Sequence, residues 1–107
     1  MDSVFRALAD PTRRRLLDRL FAENGQSLHR LCADLGMSRQ AVTKHLKILE
    51  AANLVAVHRQ GRERLHYLNP VPIAEIAARW IGKYERPRLD ALQALKVRLE
   101  GGRDGET

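Results

Sequence analysis

Apolar residues recur at helical spacing through the first half of the chain. Val4, Phe5 and Leu8 make a short apolar face that ends near Ala9. Asp10-Pro11 follows, an N-cap with proline at the first helical position, where its missing N–H costs nothing. The helix after it turns Leu16, Leu17, Leu20 and Phe21 toward a core and stops by Asn24-Gly25. Ser27 caps the next helix, in which Leu28, Leu31, Cys32 and Leu35 form one stripe, and Gly36 ends it. Ser38 caps a fourth helix that buries Val42, Leu46 and Leu49, with Ala41, His45 and Ile48 beside them. Ala52-Asn53 stops it, because asparagine tolerates the left-handed conformation of a helix end.

The period then changes. Residues 54–59 are β-prone, 60–63 carry turn chemistry and 64–68 read as a second strand, which together predict a hairpin. After Asn69-Pro70-Val71-Pro72 the helical spacing resumes, with Ile73, Ile76, Ala77, Trp80 and Tyr84 on one face. Pro87 is expected to bend or break that helix at Arg86. Leu89, Leu92, Leu95 and Leu99 continue an apolar seam.

Two short helices joined by a tight glycine-containing turn are the helix-turn-helix layout. Taking away the buried positions of the second helix leaves Ser38, Arg39, Gln40, Thr43, Lys44 and Lys47 facing outward. Arginine suits guanine, glutamine suits adenine, threonine suits the thymine methyl, and lysine suits phosphate. These readers cluster at the helix N-terminus, where a recognition helix enters the major groove. No acidic residue interrupts Met37 to Leu49, whereas a merely solvated face mixes signs. The hairpin tip adds Arg59, Arg62 and Arg64 around a glycine turn, placed to reach a minor groove or clamp phosphates. The expected fold is therefore mainly α with a small β-hairpin, a winged helix-turn-helix of order α-α-α-α-β-β-α. It occupies residues 1–100, and residues 101–107 read as a disordered polar tail.

Composition agrees with a nucleic-acid partner. The chain has 107 residues, 44% hydrophobic, enough for one domain with a modest core. Lys and Arg number 19 against 13 Asp and Glu, a net charge of +6 that suits a polyanion. Cys32 is the single cysteine, so no intrachain disulfide can form and no oxidising compartment is needed. The N-terminus lacks a signal-peptide layout and no apolar run approaches the ~20 residues that span a bilayer, so a cytoplasmic protein without membrane contact is expected. No glycine-rich phosphate loop or nucleophile signature is present, so neither an enzyme nor a cofactor is expected. A winged-helix module that binds RNA or protein is the alternative, and the outward row from Arg39 to Lys47 favours duplex DNA over it.

Three segments resemble a known family. Residues Phe5-Arg6-Ala7-Leu8-Ala9-Asp10-Pro11-Thr12-Arg13 resemble the opening motif of the arsenical-resistance-repressor (ArsR) family of bacterial regulators. Ser38 to Leu49 resembles its recognition helix, and Asn53-Leu54-Val55 with Arg59-Gln60-Gly61-Arg62 and Tyr67-Leu68 resembles its wing. The resemblance implies a homodimer built from the first and last helices that represses its target by occupying operator DNA, and its own gene is the target expected. Many such relatives hold thiophilic metals through a cysteine pair at the start of the first helix of the helix-turn-helix. Ser27 and His29 stand there instead, and they are no substitute for two thiolates. Others bind zinc between C-terminal helices through carboxylates and histidines, yet Pro72 to Thr107 contains no histidine. A metal-independent member is expected, with His29 and Cys32, three apart on one helix, as the non-standard ligands of a metal- or redox-responsive alternative. Val4, Phe5, Leu8, Trp80, Tyr84, Leu92, Leu95 and Leu99 exceed the apolar surface one small helical domain buries, and are assigned to a two-fold subunit interface.

Overall fold

The computed structural model describes the backbone of residues 1–106 and the side chains of residues 1–83 and 87–101. The chain forms two compact units, Met1–Ile73 and Ala74–Thr107.

The first unit opens with α1 (Asp2–Leu8) and α2 (Pro11–Ala22). Asp10 is the N-cap of α2, its carboxylate accepting from the Arg13 backbone N–H at 3.0 Å, with Pro11 at the first helical position. Two α2 arginines close the end of α1: Arg13 Nε donates to the Ala7 carbonyl at 2.8 Å and Arg14 Nη1 to that of Leu8 at 2.8 Å. The strand β1 (Gln26–Ser27) leads into α3 (Leu28–Leu35), and α4 (Arg39–Ala51) leads into β2 (Val55–Gln60) and β3 (Glu63–Leu68). The three strands form an antiparallel sheet in the order β1-β3-β2. Sequence periodicity shows only the hairpin, because a strand of two residues has no period to read.

Leu16, Leu20, Leu31, Val42, Leu49 and Leu54 expose no surface and form the centre of the core. Each such burial contributes roughly 1.5–3 kcal/mol, and together they fix α4 against α2, α3 and the sheet. Phe21 departs from expectation and is 82% exposed. Leu16, Leu17 and Leu20 already fill the inner face of α2, and Phe21 is turned off that face one residue before the helix ends.

In the second unit, α5 (Val71–Ile76), which starts within the first, gives way to a wide π-helical turn at Ala77–Ile81 and then α6 (Gly82–Glu106). A break at Arg86 is the expectation corrected here. The helix continues through Pro87. Proline costs one backbone rung, about 3 kcal/mol with its steric clash, but a 25-residue helix retains many others. The bounds of α6 include the backbone of residues 101–106. Beyond Pro72 no described side chain is buried.

Candidate nucleic-acid interface

The helix-turn-helix is held by its caps. Ser27 Oγ accepts from the Arg30 backbone N–H at 3.3 Å and Ser38 Oγ from that of Ala41 at 3.2 Å. Between them Gly36 adopts φ 64° and ψ 30°, the left-handed stop, and the backbone N–H groups of Gly36 and Met37 both donate to the Cys32 carbonyl. The tight turn leaves α4 with one face sealed by Val42, Leu46 and Leu49. Ser38, Arg39, Gln40, Lys44 and Lys47 are exposed and Thr43 is half-buried at the edge of that face. Asn53, at φ 62°, ends the helix as expected.

The wing pairs Val55 with Leu68 through to Gln60 with Glu63, so Gly61 and Arg62 form a two-residue turn, with Gly61 at φ 64°. Arg59, Arg62 and Arg64 are all exposed. Arg59 and Arg64 are directly opposite each other, a like-charge pair that opposes hairpin formation. Arg64 has a counter-ion: its Nη2 lies 3.9 Å from Glu50 Oε1 at the end of α4.

A cleft of about 430 Å³ runs between α4 and the wing, lined by Arg39, Thr43 and Lys47 on one side and Arg62 and Arg64 on the other. His29, Glu50 and Glu63 line it too. A second hollow of about 630 Å³ gathers Ser38, Arg39, Gln40, Thr43 and Lys44 at the start of α4. Eight of the nine expected DNA contacts thus line two hollows that share Arg39 and Thr43, and Arg59 stands apart on the wing. Glu50 escaped notice because it sits just outside the stretch from Met37 to Leu49 whose charge pattern was informative, and Glu63 belongs to the turn read at the wing tip.

Two buried polar residues were also missed. Gln26 exposes nothing, and its amide Nε2 donates to the carbonyls of Arg19 at 3.0 Å and Glu23 at 2.7 Å, closing the end of α2. His66 is buried on β3, and its Nδ1 donates to the Gln26 carbonyl at 3.0 Å. His58 faces Leu65 across the ladder while His66 faces Val57, so the two rings project from opposite faces of the sheet. Cys32 is a half-buried free thiol and His29 is exposed. Among the described residues no three His, Cys, Asp or Glu side chains are grouped so as to hold a metal ion. The Asp10 carboxyl is held below its ordinary value of 3.8, chiefly by the Arg13 backbone N–H, against the opposing effect of desolvation and with help from the Arg13 charge.

The residues assigned to a subunit interface divide. Val4 is only 7% exposed, so it belongs to the core of the first unit and cannot offer surface to a partner. Its neighbour Phe5 is 44% exposed and Leu8 is half-buried. In the second unit Trp80, Leu92, Leu95 and Leu99 are exposed, and the last three line a shallow hollow on α6. The Tyr84 side chain lies outside the described residues. No described helix is long and apolar enough to cross a membrane.

Comparison with known proteins matches residues 8–58 to the family described as a helix-turn-helix domain. The chain is 40% identical over 86 residues to the uncharacterized HTH-type transcriptional regulator YuzN of Bacillus subtilis, covering 75% of this chain and 94% of that protein. It is 33% identical to the transcriptional repressor SdpR of the same organism, covering 64% of this chain and 76% of the repressor. Among solved structures, an ArsR-like transcriptional regulator from Rhodococcus sp. RHA1 superposes with a TM-score of 0.71 at 34% identity, over 91% of this chain and 90% of that one. The homodimeric winged helix-turn-helix DNA-binding domain of a possible ArsR-family regulator from Mycobacterium bovis superposes with a TM-score of 0.63 at 25% identity, over 72% and 70% of the two chains. With α4 presenting its polar edge beside an arginine-bearing wing, this chain belongs to the ArsR family of winged helix-turn-helix transcriptional regulators.

Proposed function

We propose that the chain is a homodimeric repressor that occupies a palindromic operator, acts in the cytoplasm without catalysis, and needs no metal for DNA binding. One observation carries the reading. The edge of α4 bearing Ser38, Arg39, Gln40, Lys44 and Lys47 is exposed, while its opposite edge is sealed in the core. In this reading Arg39, Gln40 and Thr43 meet base edges in the major groove. Lys44 and Lys47 hold phosphates, and Arg59, Arg62 and Arg64 reach the flanking backbone or minor groove.

A second copy is the partner that suits the exposed apolar side chains of Phe5, Leu92, Leu95 and Leu99. The M. bovis relative is itself homodimeric, which supports the same assembly here. Two subunits would present their recognition helices to half-sites about 34–36 Å apart, one turn of duplex. Repression is the mode supported by the likeness to SdpR, and occupancy of a promoter suffices for it. The absence of thiolates at Ser27 and His29 supports independence from thiophilic metals.

The test is a footprint on duplex DNA upstream of the protein's own gene, with and without a chelator, together with sedimentation of the free protein. Protection of two half-sites about one turn apart, unchanged by chelation, is the expected result. A monomer in sedimentation, or protection that appears only with added zinc or cadmium, would defeat the proposal.

A further inference from the structure

The segment Asp10-Pro11-Thr12-Arg13 opens α2, and the DNA contacts proposed above use none of it. Its arginine makes more contacts than a helix start requires. Arg13 Nε donates to the Ala7 carbonyl at 2.8 Å and Nη2 to the Arg6 carbonyl at 3.0 Å. Both carbonyls lie at the end of α1, which favours a cation, and the Arg6 carbonyl also accepts the Ala9 backbone N–H at 3.3 Å. The remaining nitrogen, Nη1, lies 3.3 Å from Nδ1 of His45, 32 residues away on α4. A guanidinium only donates, so Nδ1 is the acceptor and the ring N–H is Nε2. Asp10 Oδ2 accepts the Arg13 backbone N–H at 3.0 Å, which fixes the start of α2 from which the Arg13 side chain reaches this ring.

One side chain therefore joins three helices. His45 follows Thr43 and Lys44 directly and precedes Lys47, on the inner side of the turn that carries the groove-facing residues. We propose that Arg13 is a positioning residue that locks the recognition helix to the end of α1, so that the pose of α4 follows whatever α1 packs against. The inference rests on the operator-binding reading above. Phe5 is exposed on α1 and assigned to subunit pairing, so Arg13 links pairing to groove reading. Lysine cannot replace it: a single ammonium is a point charge and lacks the planar fork that reaches three acceptors at once.

The experiment uses a duplex selected by the wild-type protein from a randomised pool, with a scrambled duplex as reference. Affinities for both are measured for wild type, Arg13→Lys, His45→Leu, the double variant and His45→Asn, each confirmed folded by circular dichroism well below its melting point. Each of the first two variants is expected to lose about tenfold on the selected duplex and less than about threefold on the scrambled one, because misplaced readers still leave phosphate contacts intact. The double variant is expected to lose no more than the worse single, since both break one link. His45→Asn, whose amide oxygen can accept from Arg13, is expected to bind within about threefold of wild type. Losses that multiply in the double variant, or that are equal on both duplexes, overturn the inference while leaving operator binding standing. A wild-type protein that selects no duplex overturns the operator reading itself, and this inference with it.

Discussion

The steepness with which salt weakens DNA binding can be worked from the surface. In each subunit Lys44, Lys47, Arg59 and Arg62 are exposed and form no ion pair among the described residues. Arg64 is the fifth cation assigned to the DNA backbone, Arg39 being assigned to a base, but Glu50 stands 3.9 Å away and competes with phosphate for it. Eight unpaired cations per dimer give a slope of log affinity against log salt of about −7, a loss of about 10⁴-fold between 50 and 200 mM. Glu50→Gln releases Arg64 in both subunits and should steepen the slope to about −9. An exposed pair is worth at most about 1 kcal/mol, so the low-salt gain should stay within about fivefold per subunit. Lys47→Ala should flatten the slope by about 2 and weaken all sequences alike. Fluorescence anisotropy of a labelled duplex, titrated across that salt range, reads all three. A wild-type slope shallower than about −3, or a Glu50→Gln slope equal to wild type, would refute the assignment of these cations to phosphates.

Three further outcomes are expected. Arg39→Ala and Gln40→Ala should each cost about 1–3 kcal/mol on the operator and relax sequence choice, and equal losses on random duplex would show that they are not base readers. Gly25→Ala should destabilise the fold by more than about 1 kcal/mol in urea denaturation, since Gly25 sits at φ 76° and a Cβ there would meet Tyr67 Oη at 3.0 Å. For Asp10 the folded carboxyl titrates below its ordinary 3.8, so its stabilisation is full above that value and is lost as pH falls through the lowered one. Asp10→Asn, an equally good cap, should match wild type near neutrality and melt with less acid dependence below about pH 4. Parallel melting curves for the two proteins down to pH 2 would count against the cap.

Much of this architecture is written in local signals. Asp10, Ser27 and Ser38 each cap the helix that the pattern assigns to them, and Gly36 and Asn53 each stop one in the left-handed conformation. Those signals act over three or four residues, so they survive without knowledge of the tertiary fold. What escaped notice depends on contacts between distant segments. Gln26 looks like a loop residue until its amide is seen closing α2, and Arg13 looks like a helix cation until His45 arrives from 32 positions away. Phe21 and Val4 fail for a related reason: periodicity finds an apolar face but not which of its members the neighbouring helices have room for. Pro87 shows the limit of a propensity argument, because the penalty is real and a long helix still absorbs it.

The short strand β1 does more than enlarge the sheet. Its serine starts α3, its backbone pairs with β3 at His66 and Leu65, and Gly25 and Asn24 tie the same segment to His66 and Leu68. The hairpin is consequently no free arm but a prong riveted to the reading head. The spacing between its arginines and the tip of α4 is set before any duplex arrives. Adjustment must then come from the nucleic acid, and stretches that curve or narrow easily at that interval should be chosen even where no side chain touches a base.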